Sequence, residues 1–384
     1  MQMSDLRVAL FSGNYNYVRD GANKAQNRLV ATLLEHGVQV RVYAPVVPEP
    51  AFPPTGTLVP IPSMAIPGRG EYRIPLGLSG QARRDLERFD PNVLHLSSPD
   101  RSARQAAAWA RARGIPTVYT VHTRFETYPA YYGLGFTQPL IEWWLRRLYN
   151  KCDLLLVPSP TMIDVLKQQR MTAPVAIWSR GVEKSVFHPS ARDLEWRRSI
   201  GLADEPPVIG FLGRLVREKG LGVFADTLAE LQRRGVPHQA MVIGEGPARE
   251  WFAQAAPQAV FTGFQAGADL GRAVASMDML LNPSTTETFG NVTLEAMAAG
   301  VPVVAAKATG SSGLVVDGAT GRLMPPDDAS GFADALEAYC RDLSLARAHG
   351  AAAAEAAAPY DWERINLSVA QAYLDLIARR KAGG

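Results

Sequence analysis

Two glutamates separated by seven residues, Glu287 and Glu295, lie in the stretch NPSTTETFGNVTLEAMAAGVPVVA over 282–305. Gly290 and Asn291 open a helix within it, and Gly300 with Pro302 closes that helix ahead of a strand. From a start near Gly290, Glu295 is about five residues in, roughly 8 Å along the axis. The two carboxylates therefore address different parts of one elongated ligand. The amides of Phe289, Gly290 and Asn291, at the positive end of the helix, suit a phosphate. Glu287, followed by Thr288, can accept from sugar hydroxyls, and Glu295 from a ribose. A glutamate inside the apolar run VTLEAMA is costly to bury without a donor, which either a ligand or another part of the protein supplies.

Three further strand-to-loop transitions in the same half carry chemistry-bearing residues, where open α/β sheets place their ligands. In GFLGRLVREKGL a strand ends at Gly213, Arg214 sits at the turn and Lys219 opens the next helix. A planar guanidinium and a point-charge ammonium beside a helix start suit a diphosphate, with a surface salt-bridge set as the alternative. VIGEGPAR (242–249) puts Gly244 in a glycine-rich turn, for a ligand or for tight packing. FTGFQAGADL (261–270) sets Gly263 and Phe264 where backbone groups can meet a nucleobase edge. In the first half, His122 ends the run TVYTVH and is followed by Thr123, Arg124 and Glu126. That is a place for a polar site, or for a core or capping histidine.

These positions need strands to hold them. Short β-branched runs alternate with helix-patterned segments from end to end, the pattern of parallel βαβ units. The first half offers runs at 7–11, 38–44, 92–96, 117–122, 154–158 and 175–178. The second offers 208–213, 240–244, 259–263, 279–283, 301–306 and 321–325. Each half supports its own doubly wound sheet, so the expected fold is α/β with two Rossmann-like domains facing across a cleft. The expected division is 1–182 and 183–384, with a hinge near 180–190 and the last amphipathic helix, 361–380, returning to the first domain. Its stripe of Trp362, Ile365, Val369, Tyr373 and Leu376 must pack on something. Residues 45–77, rich in proline and glycine and without helical period, are expected as a long extended loop.

At 384 residues, the chain exceeds a single hydrophobic core. Its N-terminal apolar run is too short for a secretory signal and no apolar stretch reaches bilayer length, so the expected location is cytoplasmic. Cys152 and Cys340 have no partner at metal-ligand spacing and read as reduced core residues. Residues 1–180 carry 21 Lys and Arg against 13 Asp and Glu, whereas the remainder carries 19 against 24. The basic half has no aromatic-basic interleaving of a nucleic-acid module, so nucleic acid is not an expected partner. An anionic lipid surface or a plain solvated Arg-rich face remains.

The string ETFGNVTLEAMAAGVPVV resembles the E-x7-E signature of retaining GT-B glycosyltransferases of the GT4 group, and GFLGRLVREKG resembles that group's G-R-x4-K-G phosphate motif. The likeness extends over the whole chain through SGNYNYVRDGANKA with Gly13, HLSSPD with Asp100, and YTVHTRFETYPAYYG. It implies a metal-independent, retaining hexosyltransferase that needs no cofactor and takes a nucleotide-sugar donor, a UDP-sugar being favoured over GDP-mannose. Arg214 and Lys219 would hold the diphosphate, Glu295 the ribose, and Glu287 with the Phe289 and Gly290 amides the sugar and phosphate, while His122 would lie next to the transferred sugar. HTRFETYPAYYGLG is similar to diacylglycerol glycosyltransferases of the sulfoquinovosyl type and to α-mannosyltransferases. That branch implies a lipid or glycan acceptor at the inner face of the membrane, with peripheral contact through aromatics near Arg146 and Arg147. Asp20, Asp100, Arg124, Glu126 and Tyr128 are the acceptor-side candidates. After VPVVAA the chain carries Gly310-Ser311-Ser312-Gly313 where many relatives carry Gly-Gly and Pro-Glu. The alternatives are a nucleotide-sugar 2-epimerase of the same plan and a non-catalytic binding protein; a dinucleotide oxidoreductase lacks its glycine fingerprint after the first strand.

Overall fold

The structure is a computed structural model that describes residues 1–18, 21–66, 69–122, 124, 126–127 and 135–382. The chain divides into two compact units, Met1–Arg180 with Trp362–Gly384, and Gly181–Asp361.

In the first unit the apolar runs become strands β1 (Arg7–Phe11), β2 (Gln39–Ala44), β3 (Thr57–Pro60), β4 (Ser63–Ile66), β5 (Arg69–Pro75), β6 (Val93–Leu96), β7 (Thr117–Thr120), β8 (Leu154–Val157) and β9 (Val175–Ile177). Seven of them form a parallel sheet in the order β3-β2-β1-β6-β7-β8-β9. Chain direction reverses its spread between β1 and β6, the switch point where a doubly wound sheet opens for ligands. Both faces are covered, so strands such as β6 and β8 are apolar at nearly every position. Helices Gly80–Phe89, Arg101–Arg111, Gln138–Tyr149 and Pro160–Gln168 pack on one face around Leu94, Leu96, Tyr119 and Leu155. The other face receives the helix Gly21–Glu35 and the terminal helix Trp362–Ala382, which buries Val369, Tyr373 and Leu376 and half-buries Trp362 and Ile365.

Residues 45–77 differ from the expected long loop. TLVP forms the edge strand β3 beside β2, and β4 and β5 form an antiparallel hairpin. The apolar stretches between the prolines are long enough for four-residue strands, and an edge strand tolerates Pro60 because an outer N–H has no neighbour to bond.

In the second unit β10 (Val208–Leu212), β11 (Gln239–Ile243), β12 (Ala259–Gly263), β13 (Met279–Asn282), β14 (Val303–Ala306) and β15 (Gly321–Met324) are ordered β12-β11-β10-β13-β14-β15, all parallel. Helices Leu221–Arg233, Arg249–Ala255 and Ala329–Arg341 cover one face. Helices Gly267–Ala275, Asn291–Ala298 and Leu343–Ala357 cover the other. The switch point lies between β10 and β13. Cys152 and Cys340 are free, and burial pushes each thiol up to about 12, which leaves them unreactive near neutrality.

Candidate functional site

In the second unit the two strands that flank the switch point deliver the charged groups. β10 runs into Gly213, which has φ +152°, then Arg214 and a short 3-10 turn, Arg217–Lys219. β13 runs into Pro283 and the loop that carries Glu287. Lys219 Nζ lies 2.5 Å from Glu287 Oε1, with both side chains partly exposed. Residues 68 positions apart in sequence are thereby joined as one ion pair. Arg214, in the turn after β10, is exposed, and its side chain makes no hydrogen bond or ion pair among the described residues.

Glycine makes this convergence possible. Gly220, at φ +75°, ends the Lys219 turn against Pro283, where a Cβ would sit 2.9 Å from the Pro283 carbonyl oxygen. Gly244, at φ +137°, lies so close to Gly213 that a Cβ would meet its carbonyl oxygen at 2.0 Å. The turns after β10 and β11 are thus pressed together, and Gly213 N–H donates to the Ile243 carbonyl. Gly244 N–H in turn donates to the carbonyl of Gly263, at the end of β12. Phe264, next in sequence, is 58% exposed.

The helix Asn291–Ala298 starts from Gly290, which is left-handed at φ +93°. Its first-turn amides have no acceptor within the helix. Asn282 Nδ2 donates to Thr293 Oγ1 and ties the end of β13 to the helix. The Phe289 side chain is buried against Tyr360, ring centroids 5.9 Å apart, so only its backbone faces the loop chemistry. Thr288 and Glu295 are half-buried. Gly310 is buried against the Glu287 loop, where a Cβ would sit 2.6 Å from Glu287 Cβ and 3.1 Å from the Gly290 nitrogen. The departure from the common Gly-Gly turn therefore retains glycine at the one position that packs on Glu287.

In the first unit Gly13 follows β1 and faces the loop after β6. A Cβ on Gly13 would approach Ser98 at 3.0 Å and the Asp100 carboxylate at 3.3 Å. Asp100 caps the helix Arg101–Arg111, accepting from the Ala103 amide and from the hydroxyls of Ser98 and Ser102. Glu126 is buried and accepts from Arg124 Nε and Gln169 Nε2, both at 2.9 Å, so its carboxylate is a structural anchor for its own loop. Asp20 and Tyr128 lie outside the described residues.

His122 follows β7 and is buried against Trp178, ring centroids 5.5 Å apart. Arg180 donates to His122 Nδ1 at 2.8 Å. Burial, then the Arg180 charge, then His95 hold the His122 pKa well below the ordinary histidine value, so the ring is neutral. Arg180 is the residue that sequence reasoning missed. The run Trp178-Ser179-Arg180 reads as hinge punctuation, and an arginine two residues after a tryptophan at the end of an apolar run is the one signal present.

Among the described residues no helix is long and apolar enough to cross a membrane. Residues 206–342 match the model of group 1 glycosyl transferases, and residues 19–186 match that of glycosyltransferase family 4. A GDP-mannose-dependent alpha-mannosyltransferase of Mycolicibacterium smegmatis is 33% identical over 98% of this chain and 99% of its own length. A sulfoquinovosyl transferase of Arabidopsis thaliana is 32% identical over 93% of this chain and 71% of its own. Sucrose-phosphate synthase from Thermosynechococcus elongatus superposes with a TM-score of 0.79 over 97% of this chain and 100% of that one; at 21% identity this likeness speaks for the fold. Its two Rossmann-like units are those of GT-B, and these comparisons give no support to an epimerase. The chain belongs to glycosyltransferase family 4 and is a glycosyltransferase.

Proposed function

We propose that the enzyme moves mannose, or a closely similar hexose, from GDP-mannose to a lipid acceptor at a membrane surface, with retention and without a metal. The observation that carries the reading is the Lys219–Glu287 pair across the switch point of the second sheet. Cleavage of the sugar–phosphate bond leaves negative charge on the diphosphate, which Arg214, Lys219 and the amino end of the helix at Asn291 are suited to stabilise. When the diphosphate takes over Lys219, Glu287 is released to accept from the sugar hydroxyls. Glu295 would accept from the ribose, and the Gly263–Phe264 turn would border the base. Gly13, Gly213 and Gly244 would give the donor close backbone approach, and His122 would meet the transferred sugar. Several relatives named as GDP-mannose-dependent move the donor preference from the UDP-sugar favoured on sequence to GDP-mannose.

The lipid side rests on the helix Gln138–Tyr149 and the turn before it. Phe136, Leu140 and Trp143 are 80%, 66% and 48% exposed and recur at helical spacing along one face. The Arg147 guanidinium lies 5.0 Å from the Trp143 ring centre. Apolar side chains bordered by arginine suit the headgroup layer of an anionic membrane. The test is a donor panel of GDP-mannose, UDP-glucose and ADP-glucose read by thermal shift. It is followed by transfer assays with diacylglycerol-based and water-soluble acceptors, with anomeric configuration read by proton NMR. Stabilisation by GDP-mannose and an α-mannosyl lipid product are expected. Turnover only with another nucleotide sugar, or only on soluble acceptors, would overturn the corresponding half of the reading.

A further inference from the structure

We propose that Arg180 is a positioning residue that fixes the tautomer of His122, keeping the proton on Nε2 so that this imidazole donates a hydrogen bond and does not act as a base. The inference rests on the reading that His122 meets the transferred sugar, and it assigns the direction of that contact.

The geometry leaves one solution for Nδ1. A guanidinium has five donors and no acceptor, so the 2.8 Å contact from Arg180 requires a lone pair on His122 Nδ1. A neutral ring with its Nδ1 lone pair engaged carries its proton on Nε2. Burial lowers Arg180 only to about 10, so the guanidinium stays charged at neutral pH. It opposes a second proton on the ring. Arg180 cannot easily turn away. It also donates to the carbonyls of Trp178 at 3.0 Å and Ser179 at 3.2 Å, and its guanidinium lies 4.8 Å from the Trp178 ring centre. Trp178 is fixed in turn, because its Nε1 donates to Asn366 of the terminal helix at 3.1 Å, and Asn366 Nδ2 donates to Thr32. The returning helix therefore braces the residue that orients His122.

A neutral Nε2–H donor suits a sugar hydroxyl or ring oxygen. It stabilises a polar group without removing a proton, whereas an Nδ1–H ring would offer a basic Nε2.

The experiment is a long-range proton–nitrogen NMR spectrum of the full chain labelled with nitrogen-15 histidine, with His122→Asn to assign the ring. Kinetics of Arg180→Gln and Arg180→Lys run alongside. The wild type should show the Nε2–H tautomer, Arg180→Gln should lose it, and Arg180→Lys, which retains a charged donor, should keep it. With Arg180→Gln, kcat should fall about tenfold or more with a smaller change in donor KM, as for one charge-assisted hydrogen bond. That fall should be absent when His122→Asn is already present. If the wild-type ring carries its proton on Nδ1, or Arg180→Gln leaves the ring signals unchanged, the proposal fails. Full turnover by His122→Asn would instead sink the placement of His122 at the transfer site, while the spectra would still decide the tautomer. Should Arg180→Gln fail to fold, Arg180→Lys decides: loss of the Nε2–H tautomer there overturns the proposal.

Discussion

The two sheets share a plan and treat charge at their strand ends in opposite ways. After β9 the cation is sealed in: Arg180 is buried against Trp178 and spends its donors on two carbonyls and one imidazole. After β10 the cations stay at the surface, where Arg214 is exposed and Lys219 is held only by a partly exposed glutamate. A buried, saturated guanidinium shapes a neighbouring group, whereas an accessible one remains available to an incoming anion. A strand-end arginine is therefore read from its surroundings, since both follow the end of a parallel strand, Arg180 after the edge strand β9 and Arg214 after the central strand β10.

The largest effect should fall on the accessible side. Arg214→Ala and Lys219→Ala should each lower kcat by roughly 10²–10³, the size of losing one preorganised donor to developing charge. Lys219→Arg should recover part of the loss. Steady-state transfer assays with saturating donor measure this, and a Lys219→Ala enzyme that keeps its rate would break the contrast, because the ion pair would then be only structural. Glycine comes next. Gly244→Ala forces a left-handed alanine and a Cβ against the Gly213 carbonyl, a strain of about 1–3 kcal/mol. The urea midpoint should drop accordingly, and with it donor binding, as the turn carrying Arg214 is displaced. An unchanged midpoint would mean that the two turns are free to separate.

How much of this was legible depended on the range of the interaction. The strands of both sheets were visible because local β-branched runs mark them, and the stripe on the terminal helix announced a buried face. Lys219 and Glu287 were visible as separate motifs, each with a helix start nearby. Their direct pairing was not, because it follows from the order β10-β13 and no local pattern encodes sheet order. Arg180 was illegible for the same reason: its partner lies 58 residues earlier, and nothing around it is periodic. In residues 45–77 proline frequency outweighed the short apolar runs, although edge strands are where proline and strand coexist. The turn at Gly310 departs from a familiar pattern yet retains glycine where a Cβ would meet Glu287, a long-range contact that local sequence does not announce.

The buried side of the comparison predicts a pH effect of intermediate size. His95 accepts or donates to Tyr373 and Thr120, both at 2.5 Å, and burial pushes it from near 6.5 down to about 3. His122 is lowered as well. Below about pH 6.5 the unfolded chain binds protons that these folded rings refuse, so stability must fall as pH falls, until it levels near pH 3 for His95. Between neutrality and pH 5 His95 should remove about 2 kcal/mol, and His122 acts in the same direction. Urea midpoints across that range check it, with His95→Gln flattening the slope by one ring's share. A slope unchanged in His95→Gln would show that His95 titrates when folded as it does when unfolded.

The smallest expected effect is none at all, and it tests the accessible side most sharply. If Arg214, Lys219 and the helix start at Asn291 supply the positive charge that the leaving diphosphate needs, chelation should leave transfer unchanged. EDTA in the assay, with the rate measured before and after adding magnesium, is the measurement. A rate abolished by chelation and restored by magnesium would mean that the protein's cations only assist an ion, and the exposed arginine would lose its assigned role. The same addition to Lys219→Ala isolates the contribution of charge. Magnesium rescue confined to that variant would show that the missing contribution is positive charge at the diphosphate, since a hydrated divalent ion shares little with a lysine side chain except its charge.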